Sequence, residues 1–506
     1  MAHLLGYDIG TSGTKVVLCD PQGLLLDAAT AWYPLHQPQP GWSEQAPEDW
    51  WNATRTATRL LLARHPGVTV AAIGLTGQMH GSVLLGADAA ASGGAAAPLR
   101  RALLWNDQRT GAECDEITRA AGSPRDLVRM VGNAALTGFT LPKLLWVRRH
   151  EPRIWAAVRH VLCPKDFIAF RLTGALATDV GDASGMLCFD IDQRAFCEPL
   201  LRRLDLDRTL FPHPHESSEH IGILSRHAAS ELGLATADIP VIIGSGDNQA
   251  GAVGAGVVSA GTALMILGTS GVLLAPSDAP LRDLPPSGPV GRLHAFCAAT
   301  GPRHWCVTGC MLAAGLSLRW ARDLLRPGAC YDDLLAEAAT APAGCEGLVF
   351  LPHLTGERCP HPDPKARGAW IGLTSRHTRA HLLRSVVEGV AFNMAEIVGL
   401  ARAAGVPVTS LRTSGAGFRS SLWRQLVSDL TGCPVVTTGT EEGGGALGAA
   451  LLAAVGIGRF RDAAEACHVA VLESGRTEPK AVQPELAATR QIHEGMYRRI
   501  AGVWGT

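Results

Sequence analysis

Leu4-Leu5-Gly6-Tyr7-Asp8-Ile9-Gly10-Thr11-Ser12-Gly13-Thr14-Lys15-Val16-Val17-Leu18-Cys19-Asp20 reads as strand, tight turn, strand. Apolar and β-branched residues flank a turn of glycines and hydroxyl side chains. Pro21-Gln22-Gly23 then turns the chain into a third strand over 24–33. The first turn presents backbone N–H groups, hydroxyls and the Lys15 ammonium close together, a combination suited to phosphate. It is not the strand-to-helix P-loop, whose spacing is absent. Asp8 at the strand end beside it can hold a divalent cation directly or through water. On its own, the same turn is equally a plain hairpin.

The turn recurs. Ala263-Leu264-Met265-Ile266-Leu267-Gly268-Thr269-Ser270-Gly271-Val272-Leu273-Leu274 again sets Gly-Thr-Ser-Gly between apolar strands. Two such hairpins in two halves of one chain point to a duplicated α/β architecture, each half offering a phosphate-binding turn to a shared cleft. A dinucleotide fold is disfavoured, because no strand leads into Gly-x-Gly-x-x-Gly with an acidic partner further on. Between the hairpins lies Val241-Ile242-Ile243-Gly244-Ser245-Gly246-Asp247-Asn248-Gln249-Ala250-Gly251-Ala252-Val253-Gly254. This is a buried strand, a glycine turn and a small-residue helix, which places Asp247 over the crevice. The alternative is that Asp247 merely caps the helix.

Other strand ends are polar in the same way. A strand over 71–75 ends in Thr76-Gly77-Gln78-Met79-His80-Gly81, and Leu103-Leu104-Trp105-Asn106-Asp107-Gln108-Arg109 reads as another. Both suit a polyol, although His80 could be a hydrogen-bonded structural residue and Trp105 could be core. Helices are expected from near Pro47, from Gly138-Phe139-Thr140-Leu141-Pro142-Lys143, from Pro164-Lys165-Asp166, over 306–325 and over 378–404. Cys306 and Cys310 would then sit one helical turn apart on a packing face. The segment 178–185 reads as a loop over the cleft, and His213 and His215 as part of a solvated loop. Ser414-Gly415-Ala416-Gly417 and the glycine run within 441–450 each precede a helix, where backbone N–H groups could seat adenosine and phosphates. A last helix, 484–500, reads as a surface cover.

Size and charge bound the rest. At 506 residues, 47% hydrophobic and 18% charged, the chain can fill two or three domains. A net charge of -1 gives no footprint for nucleic acid or an anionic membrane. No apolar run approaches a bilayer span, and the N-terminus lacks a signal-peptide pattern. The 13 cysteines contain no Cys-x-x-Cys pair, as for reduced thiols in a cytoplasmic protein.

Taken together, Gly77-Gln78-Met79-His80-Gly81, Leu104-Trp105-Asn106-Asp107, the segment 246–254 and Leu267-Gly268-Thr269-Ser270-Gly271 resemble the FGGY family of carbohydrate kinases, within it the branch acting on D-xylulose. The stretch from Gly138 to Trp146 and that from Gly368 to Glu388 match the two family signatures, and the likeness runs from Leu4 to about Gly456. It implies two duplicated actin-like (ribonuclease-H-like) ATPase domains with the active site between them. The boundaries expected are 1–245 for a sugar-binding domain, 246–460 for a nucleotide-binding domain and 461–506 for a helical extension. The resemblance makes Asp247 the general base and Asp8 a residue needed near Mg²⁺. It makes Met79, His80, Asp247 and Asn248 sugar contacts. Thr11, Ser12, Thr269 and Ser270 become phosphate contacts of ATP, and Gly315, Gly415 and Ala416 nucleotide contacts. Ser414-Gly415-Ala416-Gly417-Phe418 departs from the three-glycine form of many relatives, which puts adenosine seating in question. The partners implied are a small-molecule sugar and a nucleotide, with a homodimer left open. The alternatives are a kinase of ribulose, a deoxysugar, gluconate or glycerol, or an actin-like conformational ATPase.

Overall fold

A computed structural model describes residues 2–440 and 442–505; Met1, Glu441 and Thr506 lie outside the described residues. The first hairpin forms as read. Strands β1 (His3–Ile9) and β2 (Gly13–Cys19) pair antiparallel, from Leu4 opposite Cys19 to Ile9 opposite Thr14. β3 (Leu25–Trp32) extends the meander. On the other side, β4 (Val70–Gly77) and β6 (Pro240–Gly246) join in parallel, and β5 (His220–Ile223) closes the edge antiparallel. The order is β3-β2-β1-β4-β6-β5. Helix α1 (Pro47–Arg64) opens with proline and two acidic residues in its first turn, as a helix N-terminus favours. It buries Trp50, Trp51, Ala57 and Leu61 into the same core as Leu5, Tyr7 and Val16 of the sheet.

The second half repeats the plan. β7 (Gly261–Leu267), β8 (Gly271–Ser277), β9 (His294–Cys297), β10 (Trp305–Met311), β11 (Val408–Ser414), β12 (Val435–Thr438) and β13 (Glu473–Thr477) form one sheet. Its order is β9-β10-β8-β7-β11-β12-β13. With β9 set aside, strand order and direction match the first sheet throughout. The duplication suggested by two short turns therefore extends to both whole sheets.

The halves are joined through glycines. Helix α6 (Gly444–Gly456) is apolar on all sides, the signature of a fully buried helix, and it lies on the first sheet. A methyl on Gly6 of β1 would stand 1.9 Å from the Ala446 carbonyl oxygen, and one on Gly74 of β4 1.9 Å from that of Ala449. Helix α3 (Asp247–Gly254) runs against α6 so closely that a methyl on Gly448 would lie 1.8 Å from the Ala250 oxygen. An element near the end of the chain is thus built onto the N-terminal sheet. The segment 461–506 is not helical throughout, since it supplies edge strand β13 before helix α7 (Pro484–Ile500).

Four local expectations are corrected. The stretch 306–325 is not one helix but β10 followed by α4 (Gly315–Leu325). Pairing with β8 claims the Val307-Thr308 segment, and Cys306 and Cys310 share a face because a spacing of four is in phase with a strand as well. Residues 178–185 are no loop over the cleft but a short strand, Ala177–Asp179, and a one-turn helix, Val180–Ser184, buried throughout. His213–His215 is a strand paired with that segment. Of the expected strand over 103–109 only Leu103 is extended, ending the short strand Ala102–Leu103, and the rest turns around buried Asp107, which binds Ser43 N and Arg109.

Candidate active site

Asp247 is the first residue of α3, one step past the carboxyl end of β6. Gly246 takes the cap position and no side chain caps the helix, so the carboxylate is not used as a cap. Burial raises its pKa to about 7, the neighbouring Asp8 carboxylate adds to the rise, and the Asn248 N–H opposes it. Asp8, near the end of β1, is itself raised to about 6 by burial against the pull of Lys15. Asp8 Oδ1 is buried without a protein partner.

Next to Asp247 stands a wall built from the end of β4. Met79 is buried, and its Sδ lies 2.9 Å from where a methyl on Gly246 would be, so thioether and glycine exclude each other's substituents. Asn248 Nδ2 is 3.8 Å from the same sulfur. His80 adopts a left-handed φ of 67° and brings Nδ1 to 2.7 Å from the Gly185 carbonyl oxygen. A carbonyl only accepts, so Nδ1 carries the proton and Nε2 is left as an acceptor. Burial pulls the His80 pKa down to about 3, and the Lys143 ammonium pushes the same way, which keeps the ring neutral. Lys143, fully buried in helix α2 (Thr140–His150), donates to His80 O at 2.7 Å and to Gly138 O at 2.6 Å. It pins the strained turn on which the wall depends.

The second half contributes a series of cavities. One of about 460 Å³ is lined by Thr269 of the second hairpin, Gly315, Ala416, Tyr331, Arg419 and Trp423. A second, about 360 Å³, shares Ala416 and adds Gly415, Thr438 and Gly439. A third, about 190 Å³, shares Thr438 and continues past Thr413, Ser414 and Thr440 to Asp247 and Asn248. The series therefore leads from an aromatic pocket to the catalytic-type carboxylate. Gly315 and Gly415 are there for want of space: a methyl on either would lie 2.5 or 2.6 Å from the carbonyl oxygens of Gly268 or Leu267. Thr11, Ser12 and Ser270 stand on the hairpins and line none of these three cavities. The Thr11 hydroxyl accepts from Trp105 Nε1 at 3.0 Å, which fixes the first hairpin beside the indole.

Thr438 and Thr440 escaped the sequence reading. Thr437-Thr438-Gly439-Thr440 is nevertheless a polar strand end like that at 76–81, and the same rule finds it. Among the described residues, Cys163, Asp166 and Asp182 also come together at metal-like spacing. That cluster already holds a cation: Lys165 Nζ lies 2.6 Å from Asp166, 2.8 Å from Asp179 and 3.3 Å from Asp182, all fully buried. Asp179 in turn accepts from Ser245 Oγ at 2.7 Å, bracing β6 two residues before Asp247.

Models of the FGGY family of carbohydrate kinases match this chain, the N-terminal domain over residues 3–254 and the C-terminal domain over 263–457. The chain belongs to the FGGY carbohydrate kinases. A xylulose kinase from Escherichia coli K12 is 41% identical over 451 residues, 89% of each chain. The crystal structure of a "xyloylose kinase" from Brucella ovis superposes with a TM-score of 0.91 at 35% identity, covering 99% of this chain and all of that one (100%). A gluconate kinase from Lactobacillus acidophilus superposes almost as well, with a TM-score of 0.90 at 26% identity and coverage of 100% and 99%. The FGGY kinase fold is thus shared by proteins named for different sugars, so the fold alone does not choose the sugar. Kinases of this family act on a small-molecule sugar with ATP and a divalent metal. Among the described residues no helix is long and apolar enough to cross a membrane.

Proposed function

We propose that this FGGY kinase transfers the γ-phosphoryl group of MgATP to the C5 hydroxyl of D-xylulose, with Asp247 as general base. The observation that carries the reading is the place and proton affinity of Asp247. It stands where the sugar wall and the cavity series meet, with a pKa raised to about 7, well matched to taking a proton near neutral pH. Relatives named xylulose kinases support the choice of sugar.

In the mechanism, Met79 shapes the sugar site, His80 Nε2 accepts from a sugar hydroxyl, and the Asn248 amide contacts the chain next to the reacting end. Asp247 takes the C5 hydroxyl proton while that oxygen attacks the γ-phosphorus in line and ADP departs. Phosphoryl transfer asks mainly for positioning and charge neutralisation. Thr11, Ser12, Thr269 and Ser270, with the N–H groups of their turns, supply donors to the phosphates, and Gly315, Gly415 and Ala416 let the adenosine side approach. Asp8 fits a divalent cation, since its Oδ1 is a buried, unpartnered carboxylate oxygen, the hard donor Mg²⁺ prefers. Mg²⁺ there would neutralise charge on the phosphates. The cysteines are all free thiols, in keeping with a cytoplasmic protein.

The test is Asp247→Ala. Sugar-dependent ADP release should fall by about a thousandfold while nucleotide binding persists. Near-normal turnover in that variant contradicts the assignment.

A further inference from the structure

Arg358 lies on the irregular segment after Leu351 in the second half, where buried Glu357 organises the backbone. Glu357 Oε1 accepts from Leu312 N and Arg358 N, both at 2.9 Å, and Oε2 accepts from Asn393 Nδ2 at 3.2 Å and faces His353 Nδ1 at 3.2 Å. The backbone of Arg358 is therefore held by the strand–helix turn ahead of α4 and by helix α5 (Arg379–Ala403). Its guanidinium is not held. Among the described residues Arg358 makes one hydrogen bond, the backbone one to Glu357. A half-buried arginine head group without a carboxylate or carbonyl partner is a donor fork with unused capacity.

The head group crosses to the other half. A methyl on Gly138 would stand 3.7 Å from Arg358 Nη2, and Gly138 O is the second acceptor of the Lys143 ammonium that pins His80. The positive charge of Arg358 is felt at His80, at His294 on β9 and at Cys310 on β10. Arg358 thus stands beside Gly138, whose carbonyl shares the Lys143 donor with the His80 carbonyl.

We propose that Arg358 is a specificity-determining residue that reaches across the cleft and donates to the ketone oxygen of the sugar. This rests on the reading above, in which the C5 hydroxyl faces Asp247. With C5 at the base, the opposite end of an open-chain ketopentose carries C1 and the C2 carbonyl. His80 Nε2 can only accept and so suits a hydroxyl, whereas a guanidinium can only donate and suits the one sugar oxygen that has no proton to give. Because the donor comes from the second half, the contact also links sugar recognition to the meeting of the two halves.

The experiment compares wild type, Arg358→Ala and Arg358→Lys in KM and kcat for D-xylulose, and in binding of its C2 alditols, xylitol and D-arabitol, with the KM for ATP as control for an intact nucleotide site. We expect Arg358→Ala to raise the D-xylulose KM by about tenfold or more, to change alditol affinity far less, and to erase the preference for ketose over alditol. Arg358→Lys, which keeps the charge and loses the fork, should fall between the two. An unchanged D-xylulose KM in Arg358→Ala, or an equal loss for ketose and alditols, overturns the inference alone. A wild type that does not prefer ketose to alditol overturns it together with the xylulose reading.

Discussion

His80 Nδ1 lies 2.7 Å from the carbonyl oxygen of Gly185, and this contact sets which ring nitrogen is left free to accept a hydrogen bond. A methyl on Gly185 would stand 2.7 Å from His80 Cε1 and Nδ1 and 3.1 Å from Met79 Cε. Gly185→Ala therefore has to displace both His80 and Met79. We expect the KM for the sugar to rise by about tenfold to a hundredfold, with the KM for ATP nearly unchanged, in initial-rate kinetics.

Lys143 acts on the same wall from behind. Lys143→Met keeps the length of the side chain and removes the donor to His80 O and Gly138 O. Two buried carbonyls then lose their hydrogen-bond donor, a cost of about 1–3 kcal/mol each. The variant should unfold at lower temperature and bind sugar less tightly, and the binding loss should exceed that for nucleotide. Unaltered sugar binding would show that the turn at His80 holds without the ammonium.

Proton affinity gives a separate handle. Asp247 must be ionised to act as base, so kcat/KM should fall as pH drops through about 7 in the free enzyme. The Asp8 carboxylate is part of what raises that value. Asp8→Asn should thus shift the acid limb of the residual activity to lower pH, besides slowing turnover. Stability has its own sign. Between the ordinary 3.8 and about 7 the folded chain keeps a proton on Asp247 that the unfolded chain has released, so for this group stability falls as pH rises across that window. Denaturant titrations of wild type and Asp247→Asn at pH 5 and about pH 8 would show it as a steeper loss of stability in the wild type, the variant keeping only the slope from Asp8 and other groups.

The contact between α3 and α6 leaves no space at Gly448, where a methyl would meet the Ala250 oxygen at 1.8 Å. Alanine is the better helix former by about 1 kcal/mol. An overlap with a backbone carbonyl inside a close-packed pair outweighs that, because neither helix can yield without moving off its sheet. Gly448→Ala should lower the thermal midpoint and reduce turnover together, whereas Gly495→Ala, where nothing lies within 4 Å of the added methyl, should lower neither.

Much of this was legible in the sequence, for reasons tied to particular residues. The two Gly-Thr-Ser-Gly turns are local hairpins, so their flanking strands and the duplication could be read from short-range pattern alone. Asp247, Met79 and His80 sit at strand ends where polar residues break an apolar run. Long-range effects were not legible. The strand Trp305–Met311 reads as helix in the sequence because its pairing with β8 leaves no periodic mark distinct from the Ala-rich turn that follows. The buried status of 178–185 depends on Lys165, which neutralises Asp179 and Asp182 from another helix. Arg358 is remote in sequence from everything it faces, and only the closing of the second half beside Gly138 brings it into view.

ADP release from MgATP by the purified protein, followed over D-xylulose, other ketopentoses, gluconate, glycerol and no sugar, tests the central claim most directly. The expected result is strong stimulation by D-xylulose, yielding the 5-phosphate, and loss of that stimulation in Asp247→Ala. Equal ADP release with every sugar and with none would contradict it.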